Sequence, residues 1–394
     1  MSGMAGPYRD RLGVLASAGL VEAHLTAWAT QRSLAPSGPW RRAYGRLRPG
    51  HSPWALLVYE APGAPTVQVR LLEHVGPGAQ APPGSLAAGD LGRIQILFCR
   101  EDPALPGLRG VLAALDDARV VRCHPGQRCT VLGGAGASAR YVKVFSDEVD
   151  DQREARARWT AAVSGALSFA VAEPHGWDAR SRSSWYGVVR GEPVDSALLG
   201  PHGMELARKV GACLGELALG RLRPGRRADA SVQLVRTGRG LARAVAASPG
   251  LSAGLRRAAD ALSQAHERLD ERPLVPVHGA AHLGQWLVDE TGRLGLIDFD
   301  RFAWGDPEFD LATFVVELRE LVKGQPTEGL EAAVVDGFRA VAGGLDEHRL
   351  ELYTWHKRLA KVARTASSLR PDAEERAALR LEDLQTPLAR FAAS

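Results

Sequence analysis

Residues 274–312, LVPVHGAAHLGQWLVDETGRLGLIDFDRFAWGDPEFDLA, gather the side chains best suited to chemistry. Leu274–Val277 and Leu294–Ile297 are apolar runs around a polar loop and a Gly-containing turn, which predicts two short buried strands. The first delivers His278 through Gln285, and the second delivers Asp298-Phe299-Asp300. Groups at the ends of buried strands are held rigidly and meet solvent on one side. Carboxylate and amide groups placed in this way are candidates for a catalytic or binding site. Helix capping is the structural alternative for the aspartates.

The stretch resembles the aminoglycoside phosphotransferase and choline-kinase-like branch of the protein-kinase fold. That family's pattern is HGDxHxxN, a short hairpin, IDxD, then GDPxxDLA. His278, Gly279, His282, Asp298, Asp300, Gly305, Asp306, Pro307, Asp310, Leu311 and Ala312 match it in order. Gln285 replaces the usual Asn, as in maltokinase-like relatives that carry HLGQ, and its amide oxygen can still reach a metal. Ala280 stands where the family has its catalytic Asp. A methyl group can neither orient a hydroxyl nor accept its proton.

The resemblance implies an α+β, bilobal protein-kinase-like fold with a β-rich N-lobe and a helical C-lobe. It further implies ATP, or another purine nucleotide, with Mg²⁺ as cofactors and a hydroxyl-bearing acceptor, with Asp298 and Gln285 as metal ligands and Asp300 either sharing the metal or supporting its ligands. Lys143, mid-strand in Tyr141-Val142-Lys143-Val144-Phe145, takes the place of the lysine that faces the nucleotide phosphates. Its carboxylate partner is expected at Glu154, about one turn into a helix spanning 150–163. The turn His124-Pro125-Gly126-Gln127-Arg128 is expected over the phosphates, with Gln127 and Arg128 near them. Ser184–Val189 and Arg190-Gly191 resemble the strand and hinge between the lobes, placing Val189 near the adenine. His282 is expected to touch phosphate or to be a satisfied loop histidine. His278, Asp306 and Asp310 are expected to support the loop.

The rest of the chain must position these groups. Residues 1–115 are expected to form an additional N-terminal α/β cap, 116–191 the N-lobe and 192–394 the C-lobe. Tyr44–Leu47, Trp54–Tyr59, Thr66–Leu72 and Arg93–Cys99 are predicted strands, and 76–91 a loop. Arg119–Cys123, Arg128–Leu132 and Arg140–Phe145 repeat the strand and Pro-Gly turn pattern. Aligning the turns sets Val67-Gln68-Val69 opposite Val142-Lys143-Val144 and suggests an internal duplication whose first copy lacks the lysine. Beyond residue 200, Met204–Arg221, Leu251–Leu269, Phe309–Leu321, Glu328–Ala342, Leu350–Ser368 and Ala373–Ala392 have helical spacing. Trp355 is expected on the surface of that lobe.

Composition excludes several classes. Net charge is +4, and only five of the 49 basic residues are lysines. No aromatic and basic residues interleave as a single-strand-binding surface requires, so no nucleic-acid partner is expected. Cys99, Cys123, Cys129 and Cys213 lack metal-ligand spacing. No secretory leader or apolar run of about 18 residues appears, so a cytoplasmic protein without a membrane partner is expected. Two functions compete. One is an ATP-dependent phosphotransferase, silent or very weak because Ala280 replaces the Asp, as in a substrate-trapping change. The other is a natural pseudokinase scaffold that binds nucleotide or a partner protein. For the first, the resemblance allows a small hydroxyl compound or a peptide Ser/Thr of a natural-product pathway. A partner lyase would then eliminate phosphate and dock on the cap through residues such as Trp40 and Trp54.

Overall fold

The computed structural model describes residues 14–15, 19–48, 53–72, 83–146, 166–322, 328–370 and 372–393. Period-two alternation of apolar residues builds an antiparallel sheet first. Its strands are β1 (Arg41–Leu47), β2 (Ala55–Glu60), β3 (Val67–Leu72), β4 (Ser85–Ala87) and β5 (Arg93–Phe98), in the order β1-β2-β3-β5-β4. Leu57, Val69, Leu71 and Ile94 pack with Leu25 and Trp28 of helix α1 (Leu20–Gln31). Two expectations are corrected here. Residues 85–87 form a strand within the expected loop, fixed by the Arg93 side chain on the Ser85 hydroxyl and carbonyl. Trp40 and Trp54 are not docking residues, because both indoles are buried in this core.

Helix α2 (Leu108–Ala114) leads to a second antiparallel sheet. Its strands β6 (Arg119–His124), β7 (Arg128–Gly133), β8 (Arg140–Phe145), β10 (Pro174–Asp178) and β11 (Ser183–Gly187) run in the order β6-β7-β8-β11-β10. Both sheets are therefore a three-strand meander followed by the fifth strand and then the fourth. Gln68 occupies the third strand of the first sheet, as Lys143 does in the second, and Gln68 is fully buried. One face of the second sheet carries Cys129, Val131, Val142 and Val144, which share a core with Val58, Cys99, Leu105, Leu108 and Val111. The apolar interior thus runs across the seam expected at residue 115. All four cysteines are free and buried, and Cys123 lies opposite Cys129 across the β6–β7 pair.

The link between the lobes follows β11. A short sheet joins β9 (Ala170–Val171), β12 (Glu192–Pro193), β14 (Trp286–Val288) and β15 (Leu294–Leu296). Gly191 has φ +126°, and a Cβ there would lie 2.7 Å from the Val288 carbonyl oxygen, so the hinge admits only glycine. β13 (Val275–Val277) pairs with β16 (Ala303–Gly305), closing the base of the candidate catalytic loop.

The C-lobe comprises α3 (Val194–Leu198), α4 (Gly203–Leu219), α5 (Ala230–Ala247), α6 (Ser252–His266), α7 (Glu308–Leu321), α8 (Glu328–Ala342), α9 (Glu347–Ala366) and α10 (Ala373–Ala393). α4 and α7 share one core with Trp286 and Phe299, whereas α5, α6, α9 and α10 share another. Trp355 belongs to the latter and is buried, correcting its expected surface position: α9 is flanked by α5 and α10, so an apolar side chain on it has no open face. Among the described residues no helix is long and apolar enough to cross a membrane.

Candidate active site

β8 projects Lys143 from the face opposite its valines, towards the loop that follows β15. The ammonium contacts Asp298 Oδ1 and lies 2.9 Å from Asp300 Oδ1. Arg128, at the start of β7, places Nη1 2.6 Å from Asp300 Oδ2. Two cations from the N-lobe therefore meet two carboxylates from the C-lobe. Burial works against the Lys143 ammonium, but Asp300 and Asp298 outweigh it and hold its pKa above the ordinary lysine value. Burial would raise the Asp298 pKa, yet Lys143, Arg128 and a hydrogen bond with Asp300 hold it well below the usual carboxylate range.

Backbone geometry aims these carboxylates. Asp298 adopts φ +69°, which a non-glycine residue sustains only under surrounding constraint. The turn Phe299–Arg301 that follows it packs Phe299 edge-on against His278. His278 is wholly buried and its Nε2–H donates to the Ile297 carbonyl at 3.1 Å, so it supports the loop as expected. Burial lowers its pKa, which keeps the ring neutral.

Gln285 is buried beside Asp298, to which its Nε2 donates at 3.4 Å. Its Oε1 is buried without any hydrogen-bond partner. An orphaned amide oxygen next to the Asp298 carboxylate fits a hard cation, for which oxygen ligands are preferred. Among the described residues no group of three His, Cys, Asp or Glu could hold a metal, so the fit rests on this mixed oxygen set.

Asp310, in the first turn of α7, accepts the Gly279 N–H at 3.0 Å and the Ala281 N–H at 3.4 Å. It thereby clamps both flanks of Ala280. Gly279 has φ +77°, and a Cβ there would approach the Arg301 carbonyl oxygen to 2.3 Å. Asp306 accepts hydrogen bonds from Arg272 and Tyr353, tying α7 and α9 beneath the loop. Ala280 itself is half-buried and offers only a methyl group.

The remaining expected residues separate. Val189 is half-buried, and its Cγ1 lies 2.5 Å from where a Cβ on Gly295 would stand, so it lines the hinge side of the cleft. Gln127 is exposed, and its backbone holds the turn by an N–H to the His124 carbonyl at 3.0 Å. The same turn is anchored from outside, where the Gly126 N–H donates to Asp102 Oδ2 at 2.7 Å. His282 is half-buried and its backbone N–H donates to the Ala280 carbonyl at 2.7 Å. Burial lowers its pKa, and its charged neighbours are Glu317, Asp298 and Lys357. Glu154 and its helix lie outside the described residues. Sequence reasoning missed Arg301, whose backbone lies against Gly279, Lys357, whose ammonium lies over the Phe309 ring, and Arg236, whose Nη1 is buried without a partner. The only signal was the scarcity of lysine.

Residues 127–353 match the sequence model of APH, the phosphotransferase enzyme family. No curated protein sequence matches the chain. Three solved structures share its fold. The amicoumacin kinase hAmiN, solved with AMP-PNP, Ca²⁺ and Ami, is 15% identical with a TM-score of 0.56, over 74% of this chain and 96% of its own. A microcompartment-associated aminopropanol kinase is 16% identical with a TM-score of 0.55, over 73% and 97%. Choline kinase from Cryptosporidium parvum Iowa II is 12% identical with a TM-score of 0.52, over 75% and 98%.

Proposed function

We propose, for a chain that belongs to the phosphotransferase enzyme family, that it binds ATP with Mg²⁺ and directs the γ-phosphoryl group towards an acceptor hydroxyl. As written, the transfer is very weak. The observation that carries this reading is the meeting of Lys143 with Asp298 and Asp300, next to the orphaned Gln285 oxygen. Such a constellation has a cation for phosphate and an oxygen set for metal, which are the two parts phosphoryl transfer needs besides a positioned acceptor.

Lys143 would leave its carboxylates and neutralise nucleotide phosphate oxygens, while Asp298, Gln285 and Asp300 would hold the metal. When bound, Mg²⁺ would offset the charge of the phosphate oxygens. Arg128 adds a guanidinium near the phosphates, and Val189 with the hinge backbone walls the purine. The acceptor approaches over the Gly279–His282 loop, where Ala280 has no group to orient the hydroxyl or take its proton. Residues 1–115 act as a cap whose sheet repeats the strand order of the N-lobe. With Gln68 at the lysine position, the cap has no ammonium for a second nucleotide.

The test is calorimetry with ATP and Mg²⁺ on the full chain. Binding is expected, and Asp298→Ala should remove its metal-dependent part while leaving the fold intact. Absence of binding for every purine nucleotide would sink the reading. A second reading, a pseudokinase scaffold, draws on the same Ala280 and predicts the same nucleotide binding. It differs in that restoring aspartate at position 280 leaves the chain inert. For the acceptor, a small hydroxyl compound and a peptide Ser/Thr both suit an open loop, the latter with a lyase recruited by the cap.

A further inference from the structure

Beside the Ala280 loop stands a group of cationic side chains without an ion pair among the described residues. Arg236 comes from α5, Arg301 from the turn after Asp298, and Lys357 and Arg364 from α9. No side chain of the four has an ion pair or a hydrogen bond among the described residues, and Arg301 and Arg364 are exposed. Arg236 is half-buried and its Nη1 is buried without a partner. Lys357 is likewise half-buried, and its Nζ rests 3.6 Å from the centre of the Phe309 ring instead of on a carboxylate. The Arg301 backbone lies against Gly279, and Lys357 faces Asp310, whose oxygens are already committed to the loop amides around Ala280. The unpaired charge therefore borders the acceptor side of the loop. Lys143 and Arg128, which already hold Asp298 and Asp300, make up the nucleotide side.

Leaving a half-buried guanidinium and ammonium unpaired is costly, and a native fold retains such groups where a ligand completes them. We infer that Arg236, Arg301 and Lys357 form an oxyanion-binding subsite for the acceptor, so that the hydroxyl to be phosphorylated is carried on a molecule with a carboxylate or phosphate close by. This deepens the phosphotransferase reading above and rests on it for the word acceptor. It sets the substrate class apart from cationic compounds, which the same three charges would repel. Arg236 and Arg301 supply planar donor forks suited to an oxyanion, and Lys357 supplies a point charge.

The subsite carries its own protonation signature. Burial pulls the Lys357 pKa down; Asp310 opposes this, while Arg301, Arg236 and Arg364 add to it, leaving it at about 7. His282 and His356 are the other titratable groups that face it. An oxyanion beside the amine favours the ammonium, so anion binding at pH 8 takes up a proton.

The experiment uses the full chain saturated with ADP and Mg²⁺, so that the nucleotide site is filled. Calorimetry compares two matched probe pairs: the peptides Gly-Glu-Ser-Glu-Gly and Gly-Gln-Ser-Gln-Gly, and glucose 6-phosphate with glucose. The anionic member of at least one pair should bind about tenfold tighter than its neutral twin, with the advantage shrinking at high salt. The pair that shows it tells carboxylate from phosphate. Arg236→Gln and Lys357→Met should each abolish the preference while ADP affinity, which reports folding, is unchanged. Proton uptake at pH 8 should vanish in Lys357→Met. Equal binding of anionic and neutral twins overturns the inference, as does a preference that survives both substitutions. If ADP itself fails to bind, the phosphotransferase reading falls and the same comparison on the unliganded chain still decides whether the oxyanion subsite exists.

Discussion

At the scale of single residues, two N-lobe cations and the oxygens of Asp298 and Asp300 meet beside the Ala280 loop. Lys143, Arg128, Asp298, Asp300 and Gln285 converge, and Asp310 holds the amides on either side of Ala280 as though the loop still presented a working side chain. Ala280→Asp should therefore need no backbone adjustment. A general base contributes about 10²–10⁴-fold, so phosphoryl transfer should rise by that factor, read as ADP release with a responsive acceptor. Nucleotide affinity should move little, since the new carboxylate faces the acceptor. A rise in affinity without any turnover would favour the scaffold. The matched motifs made Asp298, Asp300 and Gln285 legible in the sequence because a strand end fixes each of them. Arg236 and Lys357 were not legible: their meeting depends on how α5 crosses α9, which no local pattern encodes.

At the scale of elements, the strands were easier to read than their neighbours. Period-two alternation marked β3, β5, β7 and β8, a continuous apolar run marked β2, and the three-four spacing marked most C-lobe helices. α5 escaped because two of the four positions on its buried stripe, Gln233 and Thr237, are polar. Its stability comes instead from the Asp229 cap, which accepts the Val232 N–H at 3.1 Å, and from buried contacts with α9. One of those contacts is a chain in which Thr237 Oγ1 meets His356 Nδ1 and His356 Nε2 meets His266 Nε2, each at 2.7 Å. Burial lowers both histidine pKa values, that of His266 to about 4. With folded values below the unfolded one, the unfolded chain binds more protons as pH falls from about 6.5 towards 4, so stability must fall over that window. Urea midpoints should decline there, and His266→Gln should flatten the decline. An equal slope in the variant would remove His266 as the cause.

The His124–Arg128 turn is an element whose support comes from elsewhere in the chain. Asp102 is buried, bonded to Arg70 at 2.8 Å and to the Gly126 N–H, so a residue of the cap sets the height of the His124–Arg128 turn. Asp102→Ala removes a charge-assisted hydrogen bond and should weaken ATP binding about tenfold. Unchanged affinity in a folded variant would show that the turn holds its place without the cap.

At the scale of the whole molecule, the cap touches both lobes. It shares the valine face of the N-lobe sheet, and Leu369, between α9 and α10, is buried in the cap's own core against Gly45, with the Leu369 carbonyl 3.5 Å from Arg42 Nη2. Residues 1–115 are thus poorly separable, and their deletion would bare Val131, Val142 and Val144.

Leu369 also changes what it means for the cleft to open. Two bodies joined at Gly191 swing freely, like a book on its spine. With the cap bonded to both covers, the three bodies form a closed ring, and a ring cannot open at one joint without yielding at another. One joint of that ring is a single leucine in a pocket, so its departure is expected to accompany opening and, with it, the entry and exit of a nucleotide. Leu369→Ala should cost about 2–5 kcal/mol of stability. In stopped-flow it should speed nucleotide entry and exit together while their ratio barely changes. Acceleration of exit alone would mean that the pocket stabilises the bound state, and the ring would be no gate.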